Sequence, residues 1–289
     1  MNSSTAPRTL FLDTQALIYT FEKRDSLWVE FVESRLSSGH RLVISEELLY
    51  EIAQSGSLDA ALELTRRVLQ TSPLWIRSFA DLEADEVNCF ANSVATNGTA
   101  KPIVALVPEF AEVSQLTERH ILDPESFVRF AFDPRTRTGL SELANKHADV
   151  INQLSRAVAD GQMTKELSNR ALRSGLRALL SRGSDRTAPL LGTQLDEATR
   201  QCFKHHKWLM RECRAYATEF HLADYRTASP KRVARSSDSM DLMLATAAFP
   251  YVSAFVTNDG YLHGALSYVL TRLPCITTEL IRSPPRHAA

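Results

Sequence analysis

The chain has 289 residues, 44% hydrophobic and 23% charged, with a formal net charge of −1. That is the composition of an ordinary soluble globular protein, long enough for one large domain or two modest ones. Its four cysteines (Cys89, Cys202, Cys213 and Cys275) have no paired spacing, which argues against a disulfide scaffold or a zinc site.

The opening residues, MNSSTAPRT, lack the apolar core of a signal peptide, and no run is long enough to span a membrane, so a cytoplasmic protein is expected. The small net charge conceals an asymmetry. Met1 to Ala131 carries 11 Lys and Arg against 19 Asp and Glu, whereas Arg200 to Arg235 carries 9 against 3. A basic run of this kind is either a solvated helix face or a phosphate-binding surface, and an acidic metal site nearby would favour the second.

Leu10-Phe11-Leu12 reads as a buried strand that ends on an acid, Asp13, and turns into a helix carrying Leu17, Ile18 and Phe21. A reactive group at the carboxyl end of a strand is where ligands meet open parallel sheets. Leu27 to Leu36 predicts an amphipathic helix, and Arg41 to Ile44 a second strand. Ser45 is placed to cap the helix EELLYEIAQS, which carries Glu46, Glu47 and Glu51. Helices follow over Leu58 to Leu69 and Leu82 to Val94, with a short strand at Leu74 to Ile76 between them. This order predicts a parallel sheet with right-handed crossovers.

From Thr99 the pattern changes, and Lys101 to Leu116 carries no clear assignment. Asp133-Pro134-Arg135 reads as a turn. Leu143, His147, Val150, Leu154 and Val158 mark one helix face; Leu167, Ala171, Leu172, Leu176 and Leu179 mark another. Ser181 to Gly192 reads as a loop. A long helix is expected next, with Phe203, His206, Met210, Cys213, Ala217 and Phe220 along one stripe. The adjacent His205 and His206 point to different helix faces and do not chelate one metal. The sheet pattern returns with a helix from Ser236 to Ala248, a strand over Ala254 to Thr257, a turn at Asn258-Asp259-Gly260, a helix from Tyr261 to Leu270 and an edge strand over Cys275 to Leu280. The organisation expected is an α/β core in two parts, residues 1–98 and 233–289, interrupted by a helical insertion over residues 99–232.

Four acids recur in a definite order. Asp13 ends the first strand; Glu51 lies six residues beyond Ser45; Asp241 opens the helical run DLMLATAA; and Asp259 closes Thr257-Asn258-Asp259 after a strand. Together these resemble the PIN-domain family of ribonucleases, including its bacterial toxin branch, over roughly Arg8 to Val94 and Ser237 to Leu280. The sequence departs from the family at Gln15, where Asn is common, and in the long separation of Glu51 from Asp241. Gln15 also argues against the haloacid dehalogenase type of phosphatase, which places a second acid there. The absence of a glycine-rich turn after Leu12 argues against a dinucleotide-binding domain.

The resemblance implies a PIN-like α/β/α fold with a central parallel sheet, and a nuclease dependent on Mg²⁺ or Mn²⁺ that hydrolyses phosphodiester bonds. Asp13, Glu51, Asp241 and Asp259 would be both metal ligands and catalytic residues. Four converging carboxylates repel one another, and a hard divalent cation relieves that repulsion. Lys204, Lys207, Arg211, Arg214, Lys231, Arg232 and Arg235 would hold the backbone of a single-stranded RNA. An inhibitory protein partner and a homodimer are further implications.

Each acid also has a structural alternative. Asp13 can serve as a helix cap, Asp238 as an N-cap, and Asp259 as plain turn chemistry, while Glu47 shares a helix face with Glu51 and is its rival. Two other functions fit the same residues: a non-catalytic PIN-fold binding scaffold, and a structure-specific DNA nuclease.

Overall fold

A computed structural model describes residues 7–95, 103–113, 121, 123–172, 206–228 and 232–282. Strand β1 (Thr9–Leu12) is buried along its whole length, as a continuous apolar run in a parallel sheet should be. It pairs in parallel with β2 (Arg41–Ile44) on one side and β5 (Ala254–Val256) on the other. Leu12 is level with Val256, and the rings of Phe11 and Phe255 stack at 5.1 Å across the register. The six strands run in the order β4-β3-β2-β1-β5-β6, with β3 at Leu74–Ile76, β4 at Leu106–Val107 and β6 at Glu279–Ile281. The chain is thus an α/β protein with a mixed, mostly parallel sheet.

The wholly parallel sheet expected from the sequence needs one correction. Strand β4 runs antiparallel to β3, pairing Trp75 with Val107. It lies in the stretch that carried no assignment, where two residues are too few to show a period. The last strand also starts later than expected. Leu273 and Ile276 are buried in a connecting segment, and Thr278 donates its hydroxyl to the carbonyls of Phe249 (2.7 Å) and Val252 (2.9 Å) before β6 begins.

Helices α1 (Thr14–Phe21), α2 (Ser26–Ser37), α3 (Glu46–Gln54), α4 (Leu58–Leu69) and α5 (Phe79–Ala95) fill the first half. Ser45 caps α3 as anticipated, accepting from the Leu48 N–H at 3.1 Å. Helices α6 (Pro124–Phe132) and α7 (Pro134–Ala159) meet at Asp133. What reads as a turn there is a junction: Asp133 accepts from the Arg135 N–H at 2.9 Å and Pro134 takes the first helical position. Residues 165–172 are helical and include Leu167, Ala171 and Leu172. Leu176, Leu179, Phe203, His205 and the Ser181 to Gly192 stretch lie outside the described residues.

The long helix expected around residue 210 is two helices, α8 (His206–Glu212) and α9 (Arg214–Thr227), broken at Cys213 in extended geometry. The break has a tertiary cause. The Glu86 carboxylate of α5 accepts from the N–H groups of Arg214 and Ala215, both at 2.8 Å, and so caps α9 from outside the local sequence. Helices α10 (Ser236–Ala248) and α11 (Gly260–Arg272) flank β5.

Described residues from the segment 99–232 pack against the sheet. Phe127, Val128 and Ala131 of α6, and Ala215, Ala217 and Leu222 of α9, join the same core as β1 and β2. A smaller cluster gathers Phe90, Ile151, Leu172, Leu209, Cys213 and Tyr216. Beside it lie two buried acids, Glu83 and Glu219. The Glu83 carboxyl is held well above the usual carboxylate range by burial and then by Glu219, to which it donates a hydrogen bond; burial raises Glu219 too.

Both folded-state values are raised, so the folded chain keeps a proton that the unfolded chain releases. The pair's contribution is complete below the unfolded carboxylate value (~4) and is lost as pH rises. Glu83→Gln supplies a permanent donor of the same shape. It should raise stability in urea at pH 8 by about 1 kcal/mol and flatten the fall between pH 5 and pH 8. A variant less stable than its parent at pH 8 would contradict the shared proton.

Candidate functional site

Strands β1, β2 and β5 are mutually parallel, so their carboxyl ends open at one edge of the sheet. Asp13 follows β1 directly, and Asp259 lies three residues after β5. Glu51 is carried by α3, which leaves β2 through Ser45. Asp241 sits in the first half of α10, whose last residue precedes β5 by only a few positions. The helix reverses direction relative to the strand it feeds, which brings its beginning to that same edge.

Asp13 is the most tightly held of the four. One carboxylate oxygen caps α1, accepting from the Ala16 N–H at 2.7 Å, and the other accepts from the Asn258 N–H at 3.0 Å. The Thr257 hydroxyl donates to it as well, and accepts in turn from the Asp259 N–H at 3.1 Å. Thr257 is therefore the clasp between the two strand-end acids. Burial raises the Asp13 pKa above the ordinary value, these hydrogen bonds lower it, and the Asp259 charge adds to the rise. Asp259 caps α11 with Oδ1, accepting from Tyr261 (2.6 Å) and Leu262 (2.8 Å). The capping alternatives for both acids are thus real, and the Asp259 charge still acts on Asp13.

Glu51 accepts a hydrogen bond from the Thr14 hydroxyl. Burial pushes its carboxyl up to about 7; the Thr14 bond pulls the other way, and the charges of Asp13 and Glu47 push it further up. Asp241 is raised well above the ordinary range, by burial first and then by Glu51, while Arg226 opposes the rise and Asp259 and Asp238 add to it. The couplings close a circuit: Asp13 with Glu51, Glu51 with Asp241, Asp241 with Asp259, Asp259 with Asp13. Glu47, buried and one helical turn before Glu51, is a fifth charge acting on that circuit.

Asp238 has a structural task. It accepts from the Arg235 N–H (2.9 Å) in the first turn of α10 and pairs with Arg232 (2.7 Å). Gln15 is exposed, bonded to the Tyr19 hydroxyl and reached by Asn258 at 3.5 Å.

The basic residues divide. Lys204 and Lys231 lie outside the described residues, as does the side chain of Lys207. Arg232 lies 3.5 Å over the Tyr261 ring besides its pairing with Asp238, and Arg235 is exposed beside it. Arg211 is exposed and paired with Glu212, and Arg214 opens α9. Arg214 and Arg226 are twelve residues apart on α9, about 18 Å at the helical rise. Arg211 and Arg214 are therefore remote from the acids, and Arg232 and Arg235 are close.

Two participants escaped the sequence. Thr14 stands next to Asp13, where a hydroxyl can reach across to α3, and it donates to Glu51. Arg226 is 6% exposed and reaches α10 by donating to the Asp238 carbonyl, and no local pattern announces it.

No family model matches the chain, and neither does any curated protein or solved structure. The site is therefore judged on its own chemistry. Four carboxylates, three of them raised by burial and mutual repulsion, are hard oxygen donors short of a counter-charge, which suits Mg²⁺ or Mn²⁺ in kind. Among the described residues, however, no group of three or more Asp, Glu, His or Cys stands close enough to hold a metal ion. A divalent ion there requires the side chains to draw inward.

Substitutions at two of the acids should move stability in opposite directions in metal-free buffer. Asp13→Asn places an NH₂ where an oxygen accepts from an N–H or a hydroxyl, costing about 1–2 kcal/mol. Asp241→Asn breaks no hydrogen bond to the described residues and relieves repulsion. Its folded pKa is raised, so the cost of its charge grows as pH rises, and the variant should gain about 1 kcal/mol at pH 8 and little at pH 5. Urea unfolding at both pH values decides; equal losses from both substitutions would show that Asp241 is not under electrostatic stress.

Proposed function

We propose that the chain is a PIN-like nuclease with a three-layer α/β/α core, hydrolysing phosphodiester bonds in RNA with Mg²⁺ or Mn²⁺ held by Asp13, Glu51, Asp241 and Asp259. The observation that carries this reading is the emergence of Asp13 and Asp259 at one edge of the parallel strands β1 and β5, joined through Thr257 and the Asn258 N–H, with Glu51 tethered to that edge through Thr14. Helix capping accounts for Asp13 and Asp259 singly; it does not account for placing Glu51 and Asp241, both half-buried, at the same edge. Like charges gathered at a partly desolvated edge are costly unless something binds them.

In this reading Asp13 is the fixed ligand, since its position is set by three hydrogen bonds. Glu51, tethered through Thr14, and Asp241 supply the opposite side. A divalent ion bound there supplies Lewis acidity and charge stabilisation at a phosphoryl centre. Arg232 and Arg235 border the acids and would meet the phosphates nearest the cut, with Arg211 and Arg214 meeting the strand one helix length away. RNA is preferred because the resemblance points to ribonucleases.

A second reading, a non-catalytic scaffold of the same fold, draws on the spacing of the acids, which brings no three together as a metal cage. One assay separates them. Single-stranded RNA, duplex RNA and single-stranded DNA are incubated with the protein in Mg²⁺, in Mn²⁺ and in EDTA. The nuclease reading expects metal-dependent cleavage of single-stranded RNA, abolished by EDTA and reduced at least about a hundredfold in Asp241→Asn. Absence of cleavage on all three substrates, with no rise in melting temperature on adding either metal, would favour the scaffold. Cleavage confined to DNA would retain the site and reassign the substrate.

A further inference from the structure

The two ends of β6 carry opposite charges, and only one of them is matched. At the amino end the Arg35 guanidinium holds Glu279 in a two-pronged pair, at 2.8 and 2.9 Å. At the carboxyl end Arg282 is exposed and forms no ion pair or hydrogen bond with the other described residues. The register gives this cation a definite place. Ile281 is level with Val256 and Val256 with Leu12, so Arg282, Thr257 and Asp13 are the residues that follow β6, β5 and β1 at one edge. The Thr257 N–H donates to the Ile281 carbonyl at 2.9 Å, which carries the ladder up to that edge.

Arg282 does not extend freely from there. Its guanidinium lies against Gly260, the first residue of α11 and the neighbour of Asp259: a Cβ on Gly260 would stand 2.8 Å from Nη2, 3.4 Å from Cζ and 3.8 Å from Nε. Gly260 is outside the left-handed region, so its backbone does not demand glycine. What the missing side chain provides is room for the guanidinium. Asp259 does not neutralise the cation, since its Oδ1 accepts from the Tyr261 and Leu262 N–H groups. The charge acts along the helix instead: His263 is held below its usual value by burial and then by Arg282. A guanidinium is planar and permanently charged, and it offers paired donors that match two oxygens of a phosphate.

We propose that Arg282, seated on Gly260, is a phosphate-binding residue of this edge, receiving one phosphate of a single-stranded nucleic acid beside Asp13 and Asp259. This inference rests on the reading above that the chain acts on RNA. The strand-end acids repel a phosphate, and a fixed guanidinium in the same row offsets that repulsion where the backbone comes nearest. The basic residues of α8 and α9 would hold the strand at a distance; Arg282 sets where it crosses the edge.

The experiment is the binding of a short labelled oligouridylate to the full chain in EDTA, so that neither metal nor cleavage enters, followed over about 50–200 mM salt. The parent is compared with Arg282→Gln, Arg282→Lys and Gly260→Ala, each checked for an unchanged far-UV spectrum. Arg282→Gln should bind about fivefold more weakly at the lowest salt and lower the salt slope by about 0.7, the share of one phosphate on a single strand. The loss should be the same on an abasic strand of equal length, because the contact is to the backbone. Arg282→Lys should keep the slope and lose affinity, since the charge stays and the fork goes. Gly260→Ala preserves every charge but lifts the guanidinium from its seat, and should weaken binding about threefold. Unchanged affinity and slope in Arg282→Gln overturn the proposal and leave the nuclease reading standing. A loss in Arg282→Gln with none in Gly260→Ala overturns it as well, because the cation then acts only as diffuse surface charge. No binding of RNA by the parent at any salt overturns the RNA reading, and this inference with it.

Discussion

The parallel register of β1 between β2 and β5 fixes where the chain presents its acids. With Leu12 level with Val256 and Phe11 level with Val43, residues 13, 45 and 257 emerge together at one edge. Each emergence is also a helix start, so Asp13, Ser45 and Asp259 meet backbone N–H groups that have no partner within their own helices. The same geometry that terminates a strand therefore supplies a fixed, positively polarised foothold for a carboxylate. Moving the register by one residue would turn Asp13 out of reach of Asn258 and Thr257 and send the apolar set of β1 to the wrong faces.

What these footholds offset is considerable. Glu51 and Asp241 have no helix N-terminus of their own to rest on; they are half-buried and oppose each other electrostatically. Hydrogen bonding from Thr14 and the charge of Arg226 relieve them in part. The site thus combines two rigid acids at strand ends with two under stress on helices α3 and α10. A functional reading follows from that difference, because a fold selected only for stability would replace Glu51 or Asp241 with neutral side chains of similar size.

Much of this was legible in the chain. Continuous apolar runs gave β1, β2, β3 and β5, and local hydroxyl or carboxylate caps gave the starts of α3 and α10. Where sequence reasoning failed, the determining contact is distant. The division between α8 and α9 is set by Glu86, which lies 128 residues from Arg214 and nowhere near it in pattern. Strand β4 is held by pairing with Trp75 and Ile76 alone. Within the site, the four acids and Thr257 stood in short motifs, but Arg226 acts from the segment between the two halves of the sheet, where periodicity marks it only as part of a helix. Arg211 and Arg214, grouped with the other basic residues by sequence proximity, are separated from them by the length of α9.

In the function proposed above, the four acids form one site for a hard divalent cation. The most direct measurement is an anomalous difference map from a crystal soaked in Mn²⁺. The account predicts a peak bound by carboxylate oxygens of Asp13 together with at least two of Glu51, Asp241 and Asp259, at about 2.0–2.3 Å, with those side chains drawn inward relative to the metal-free arrangement. A well-ordered edge without a peak among these residues, or Mn²⁺ bound only elsewhere on the chain, would contradict it.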